Sequence, residues 1–266
     1  MASILDRYGI KEVADVTFYK LDSSGNPTVP VLYLDTLKVS TIEQTAENTS
    51  ARGGKGNPEL IMWDYGKEIT LTLEDALFSA KSMALMYGVD IENTQEFGAI
   101  GSLLKTVKAS EVKVTGTSSP YTYKFIINGK EVTANNVKFY TESGTEVTLK
   151  TTTPGNDTDG NKVPDEAVYA TGKIEIAGQQ VVISSDNFPG TYYVTGDTYA
   201  RNENSGEDEF FQFIVPKAKM QSEVTLTMEA EGDPSTFNMT MKVLRPANGE
   251  MMKLVKYDVV ASTTNA

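Results

Sequence analysis

Apolar and polar residues alternate with a period of two along most of the chain, the pattern of strands with one face buried. Strands are predicted at 13–21, 29–39, 59–63 and 67–73. In the last of these, the alternation of Ile69, Leu71 and Leu73 against Glu68, Thr70 and Thr72 is clear. Further strands follow at 111–115, 121–127, 137–140, 146–151, 167–176, 180–184, 192–197, 209–215, 222–230, 235–244 and 251–260. Turn formers separate them: Asp22–Pro27, Asn128-Gly129, Ala177-Gly178 and Glu231-Gly232-Asp233-Pro234. One segment has the helical period instead. Leu73, Ala76, Leu77, Ala80, Met83, Ala84 and Tyr87 recur at 3.6-residue spacing, with Thr72 as N-cap, Glu74 and Asp75 in the first turn and Gly88 as the stop. This predicts a helix over 73–88. Phe78, Leu85 and Met86 fall off its stripe, so the helix is apolar on more than one side: core in a two-layer domain, or a surface covered by another subunit. Residues 41–58 fit neither period. They are polar, end in Arg52-Gly53-Gly54-Lys55-Gly56-Asn57, and read as a long loop. The predicted fold is mainly β, a sandwich or barrel with one flanking helix and no internal repeat.

Composition narrows what such a fold can do. The chain has 266 residues, 39% of them hydrophobic and 23% charged, enough to bury a substantial core. It contains no cysteine and no histidine. Disulfides, thiolate metal sites and cysteine nucleophiles are therefore excluded, as are triads and zinc sites built on histidine. The formal charge is −12, which suits a surface that repels DNA rather than one that grips it. No apolar run is long enough to span a bilayer and the N-terminus has no signal core, so a soluble chain made in the cytoplasm is expected.

Candidate chemistry is sparse. The glycine-rich run at 52–57 lacks the spacing of a phosphate loop, and a strand rather than a helix follows it. It reads as a mobile loop or as an arm that orders on a neighbour. Asp157-Thr158-Asp159-Gly160-Asn161-Lys162-Val163-Pro164-Asp165-Glu166 has oxygen ligands at alternating positions, as calcium prefers, and resembles the loops of thrombospondin type 3 repeats. Lys162 stands where glycine is usual, and a solvated hairpin tip explains the same residues. Acidic neighbours such as Glu74/Asp75 and Glu207/Asp208/Glu209 do not make a glycosidase pair, because adjacent residues on a strand face opposite ways. No catalytic, cofactor-binding or metal residue is assigned, and no enzyme is expected.

Two segments resemble a known family. Thr49 to Ser79, including Glu59-Leu60-Ile61-Met62-Trp63-Asp64-Tyr65-Gly66, is the first. Phe211-Gln212-Phe213-Ile214-Val215-Pro216-Lys217-Ala218-Lys219-Met220, continuing to Phe237 and then Met251 to Asp258, is the second. Both resemble bacteriophage major tail, or tail tube, proteins. The likeness covers 10–100 and 167–260, so residues 1–266 are expected to form one tail-tube-like domain with an inserted β region at about 110–165. The resemblance implies a subunit of a closed β barrel shared around a ring, hexameric by expectation, with rings stacked into a conduit for DNA. The loop would reach a neighbour through Arg52, Lys55 and Asn57, and the helix would touch one through Phe78, Leu85 and Met86. Implied partners are further copies of the chain, the tape measure, terminator and baseplate proteins, and a sheath where the tail contracts. DNA would pass without stable binding, no membrane would be involved, and the place of action would be the virion tail. The competing reading is an adhesin or carbohydrate-binding β module, with or without calcium.

Overall fold

A computed structural model describes residues 7–89, 102–116, 119–149, 162–174, 181–226 and 236–257. The chain divides into two compact units. The larger joins Met1–Gln95 to Val181–Ala266, and the smaller is Glu96–Gln180. The region expected as an insertion, 110–165, falls within the smaller one.

The larger unit is a nine-stranded antiparallel sheet. Its strands are β1 (Tyr8–Ile10), β2 (Asp15–Leu21), β3 (Pro27–Leu34), β4 (Leu37–Arg52), β5 (Glu59–Asp75), β12 (Thr191–Asn202), β13 (Asp208–Met220), β14 (Phe237–Val243) and β15 (Lys253–Tyr257). The order is β3-β2-β12-β13-β14-β5-β4, with β1 beside β12 and β15 beside β13. β13 is long enough to serve two partners along the edge away from β12, β15 along Phe210–Ile214 and β14 along Ala218–Met220. Alternate residues turn inward. Val16 and Phe18 of β2, Leu71 and Leu73 of β5, Val194 of β12, Val215 of β13 and Met241 of β14 are all buried in one cluster. The architecture is mainly β with a single helix among the described residues. Neither of the two sheets among the described residues closes into a barrel, and the sandwich form of the expectation is the one that fits.

The sheet also holds one close approach that dictates glycine. Gly196 of β12 lies opposite Phe213 of β13. A β-carbon there would sit 2.1 Å from Cε1 of the Phe213 ring, so the ring occupies the space a side chain would need.

The helix is shorter than expected. α1 spans Ala80–Tyr87, and residues 73–75 belong to β5. Helical spacing over 73–79 loses to pairing on both sides: Leu73 is opposite Met239 of β14 and Ser40 of β4. The cap is Ser79 rather than Thr72. Its Oγ accepts from the Ser82 N–H at 3.0 Å, and Ser82 Oγ accepts from the Ser79 N–H at 2.8 Å, a reciprocal capping box built from two serines. Gly88 ends the helix at φ +72, and its N–H returns to the carbonyls of Ala84 and Leu85. Four residues before the cap, Asp75 is buried, accepting from Thr36 Oγ1 at 2.6 Å and from the Leu77 N–H at 3.2 Å.

The smaller unit has its own sheet and core. β6 (Leu103–Lys108), β7 (Val112–Thr115), β8 (Thr122–Ile127), β9 (Lys130–Tyr140), β10 (Glu146–Val147) and β11 (Tyr169–Ile174) run in the order β6-β11-β9-β8-β7, with β10 on β9. Phe125, Val112, Phe139 and Ala170 are buried at its centre. Asn128 and Gly129, both left-handed, make the predicted tight turn between β8 and β9. On the outer face Glu131 bridges Lys113 at 2.5 Å and Lys124 at 2.9 Å; hydrogen bonds from these two ammonium groups hold its carboxyl down at about 2.

Candidate functional site

The predicted loop at 41–58 is instead a strand and a tip, and the two strands predicted at 59–63 and 67–73 are one. β4 and β5 pair from Leu37↔Asp75 to Arg52↔Glu59, an unusually long hairpin. Its lower part belongs to the sheet, since β14 pairs with β5 from Thr70 to Asp75. Beyond Thr70, β4 is the one strand among the described residues that pairs with β5, so the outer part is a two-stranded ribbon. Every β5 residue from Glu59 to Glu68 is exposed.

An irregularity in the register sets which way the ribbon's side chains point. Thr45 pairs with Glu68, but Glu47 pairs with Tyr65, so β5 carries one extra residue there. Gly66 occupies this bulge at φ +63, a conformation that suits glycine. Below it, odd-numbered β5 residues pair with even-numbered β4 residues: Ile69 with Gln44, Leu71 with Ile42. Above it, odd pairs with odd: Tyr65 with Glu47, Trp63 with Thr49, Ile61 with Ala51. Because directly paired residues share a face, the bulge reverses the phase of β5. Ile69, Leu71 and Leu73 face the core, whereas Ile61, Trp63 and Tyr65 face the opposite side. Leu60, Met62 and Asp64 take the core side of the ribbon instead, with Asn48 and Ser50.

The result is an apolar surface on an unsupported ribbon. Leu60, Ile61, Met62, Trp63 and Tyr65 are each between 52% and 64% exposed. An isolated two-stranded hairpin is marginal in water, and an exposed apolar edge strand invites pairing or packing with another chain. The tip is held locally. The Arg52 guanidinium pairs with the Glu59 carboxylate, and the Gly53 N–H donates to the Pro58 carbonyl at 3.2 Å. Gly54, Gly56 and Asn57 are left-handed, which turns the chain around an exposed Lys55.

The residues proposed from sequence separate into two groups. Arg52, Lys55 and Asn57 come together at the ribbon tip. Phe78 is exposed just before α1, its ring 4.5 Å from that of Phe237. Leu85 and Met86 are buried in the core of the larger unit, so of the two readings open for them the packing one accounts for both. Of the run Leu60-Ile61-Met62-Trp63-Asp64-Tyr65, the sequence predicts a strand through Trp63 and no interface residue. The signal for a site is an apolar run on both parities of a strand, beside a partner segment with no large apolar residue to cover it. Of the candidate calcium segment, 157–161 lies outside the described residues; the described residues hold no cluster of three acidic groups placed to bind a metal. No helix among them is long and apolar enough to cross a membrane.

Charge is divided unevenly between the units. In the sequence of 1–95 and 181–266 there are 26 acidic and 15 basic residues, against ten and nine in 96–180. The larger unit thus carries nearly all of the net negative charge.

Comparison with known proteins adds two findings. The model of the YomU/Tube protein family matches residues 8–256. A protein of Bacillus phage SPR named tail tube protein is 25% identical over 225 residues, covering 83% of this chain and 78% of that protein.

Proposed function

The chain belongs to the YomU/Tube protein family, and from that membership we propose that it is a structural tail tube protein whose subunits assemble into stacked, hexameric rings. The observation that carries the assembly reading is the ribbon: five large apolar side chains stand in water on a hairpin that its own subunit does not cover. In a ring-forming protein this hairpin is the arm that reaches a neighbouring copy, with Lys55 and Asn57 at its end. Phe78 belongs to a second contact beside α1. The acidic larger unit supplies the surface past which DNA slides, because like charge keeps the duplex from adhering. The protein works by contact rather than by catalysis. Its place is the virion tail, following synthesis in the host cytoplasm, and its further partners are the proteins that measure, end and anchor the tube, with a sheath where the tail contracts.

The test is a shortened ribbon. Thr45 and Glu68 lie directly opposite, so replacing residues 46–67 by Asn-Gly closes the hairpin with a two-residue turn. Negative-stain microscopy of the wild type should show tubes or stacked rings. The shortened variant should keep its melting transition and form neither. A variant that polymerises normally would remove the ribbon from the assembly contact. A wild type that stays monomeric at every concentration and salt would favour the carbohydrate-binding module.

A further inference from the structure

We propose that the ribbon is clasped on both faces at once, by two different surfaces contributed by other copies of this chain. The inference rests on the self-assembly reading and adds to it how many surfaces each arm must meet. It follows from the phase reversal at Gly66. Had β5 kept its alternation, Ile61, Trp63 and Tyr65 would continue the core side with Ile69 and Leu71. The bulge sends them to the opposite side and places Leu60 and Met62 on the core side of the ribbon, where no further layer among the described residues reaches them. Both faces are then apolar and exposed. A ribbon laid on one surface would bury one of these sets and leave the other in water.

The two faces are unlike. One carries Ile61, Trp63 and Tyr65 with Ala51 and Thr49, and suits an apolar groove. The other carries Leu60 and Met62 among Asn48, Ser50 and Asp64, and suits a more polar partner. Two unlike faces call for two unlike surfaces, which is how heterologous contacts between identical copies work. The occupant is argued from charge and reach. The tip presents Lys55 with no acidic residue at 53–57, and the larger unit of another copy carries the excess of acid that attracts it. From Ile69 to Glu59 the ribbon extends roughly 30 Å at about 3.4 Å per residue, far enough to pass one neighbour and meet a second.

The absence of cysteine makes the test clean. Thr49 and Asn48 are adjacent, exposed and on opposite faces, paired with Trp63 and Asp64 respectively. Thr49→Cys and Asn48→Cys each introduce a single thiol without removing an apolar side chain. Thiol reaction rates are measured on unassembled subunits and on tubes, and benzophenone maleimide attached at each site before assembly is photo-crosslinked and mapped by peptide mass spectrometry. Both thiols should react on the order of tenfold or more slowly in tubes, and the two labels should capture different segments of neighbouring copies. A labelled subunit that melts like the wild type yet no longer joins tubes also places its face at a contact. A thiol that reacts as fast in tubes as in the free subunit, or two labels that capture the same segment, would overturn the two-sided clasp while leaving self-assembly intact. Failure of the wild type to assemble at all would remove both readings.

Discussion

Trp63→Ala probes the ribbon with a magnitude that can be worked out in advance. Trp63 is 52% exposed in the subunit. A tryptophan side chain offers on the order of 250 Å², so roughly 130 Å² of it remains to be covered. At about 25 cal/mol per Å², covering that area contributes about 3 kcal/mol per contact, and the alanine that replaces it recovers a small part. The loss converts to a rise on the order of a hundredfold in the concentration needed for assembly, at about 1.4 kcal/mol per factor of ten. Sedimentation of tubes across a dilution series measures this directly. The subunit itself should melt within about 0.5 kcal/mol of the wild type, because the side chain is half in water before assembly. In the wild type, Trp63 is the chain's one tryptophan, so its fluorescence should shift to the blue as tubes form. Leu104→Ala, at a residue 70% exposed in the smaller unit, serves as a control that leaves assembly unchanged. Wild-type assembly by Trp63→Ala, together with no spectral shift in the parent, would refute the placement of this face at a contact.

The remaining predictions concern the fold that holds the ribbon. Gly88→Ala should destabilise the larger unit by about 3 kcal/mol or more in chemical denaturation, since the position is left-handed and a β-carbon would lie 2.1 Å from the Phe188 carbonyl carbon. Gly66→Ala meets open space, with Glu47 Cβ at 3.9 Å, so its cost is the backbone term of about 1–2 kcal/mol, and hydrogen exchange should show it as faster opening confined to the ribbon. Asp75→Ala removes the acceptor of Thr36 and of the Leu77 N–H and should cost about 1–3 kcal/mol by urea titration. Glu131→Gln should lower the melting temperature of the smaller unit at neutral pH. The folded carboxyl is held at about 2 against an ordinary 4.5, so the stabilisation is present above the ordinary value and is lost as pH falls through about 2. The two melting curves should therefore converge at that acid end; a difference that persists there would contradict the ion-pair origin.

What could be read in the sequence depended on whether burial had written a period into it. β2, β5 below Gly66 and β14 each have one face in the core, and their alternation was plain. β4 beyond Ile42 has water on both sides, so Glu43 to Ser50 show no apolar phase and read as loop although every residue is in a strand. Its threonines at 41, 45 and 49 are good strand formers, but propensity alone does not separate a solvated strand from a polar loop. The helical period runs ahead of the helix for the converse reason. Leu73, Ala76 and Leu77 match a helical stripe, and only the partners at Met239 and Ser40, distant in sequence, show that 73–75 continue a strand. The shift of the start to Ser79 changes the fate of the residues that followed. Leu85 and Met86 point inward, while Phe78, which precedes the cap, is left outside.

The ribbon poses the most instructive case, because its apolar residues were visible and their meaning was not. Leu60-Ile61-Met62-Trp63 on both parities resembles a strand buried on two faces in a sheet interior. Nothing in the run itself distinguishes burial by the same subunit from burial by another. The distinguishing residue is Gly66. In a strand it reads as a weak point, yet its left-handed bulge reverses the phase of everything beyond it and ends the register that would have joined Ile61, Trp63 and Tyr65 to the core. An apolar run on a strand whose phase has been turned away from its own core has to find its cover elsewhere. In the assembly proposed above, that cover is a second copy of the same acidic chain.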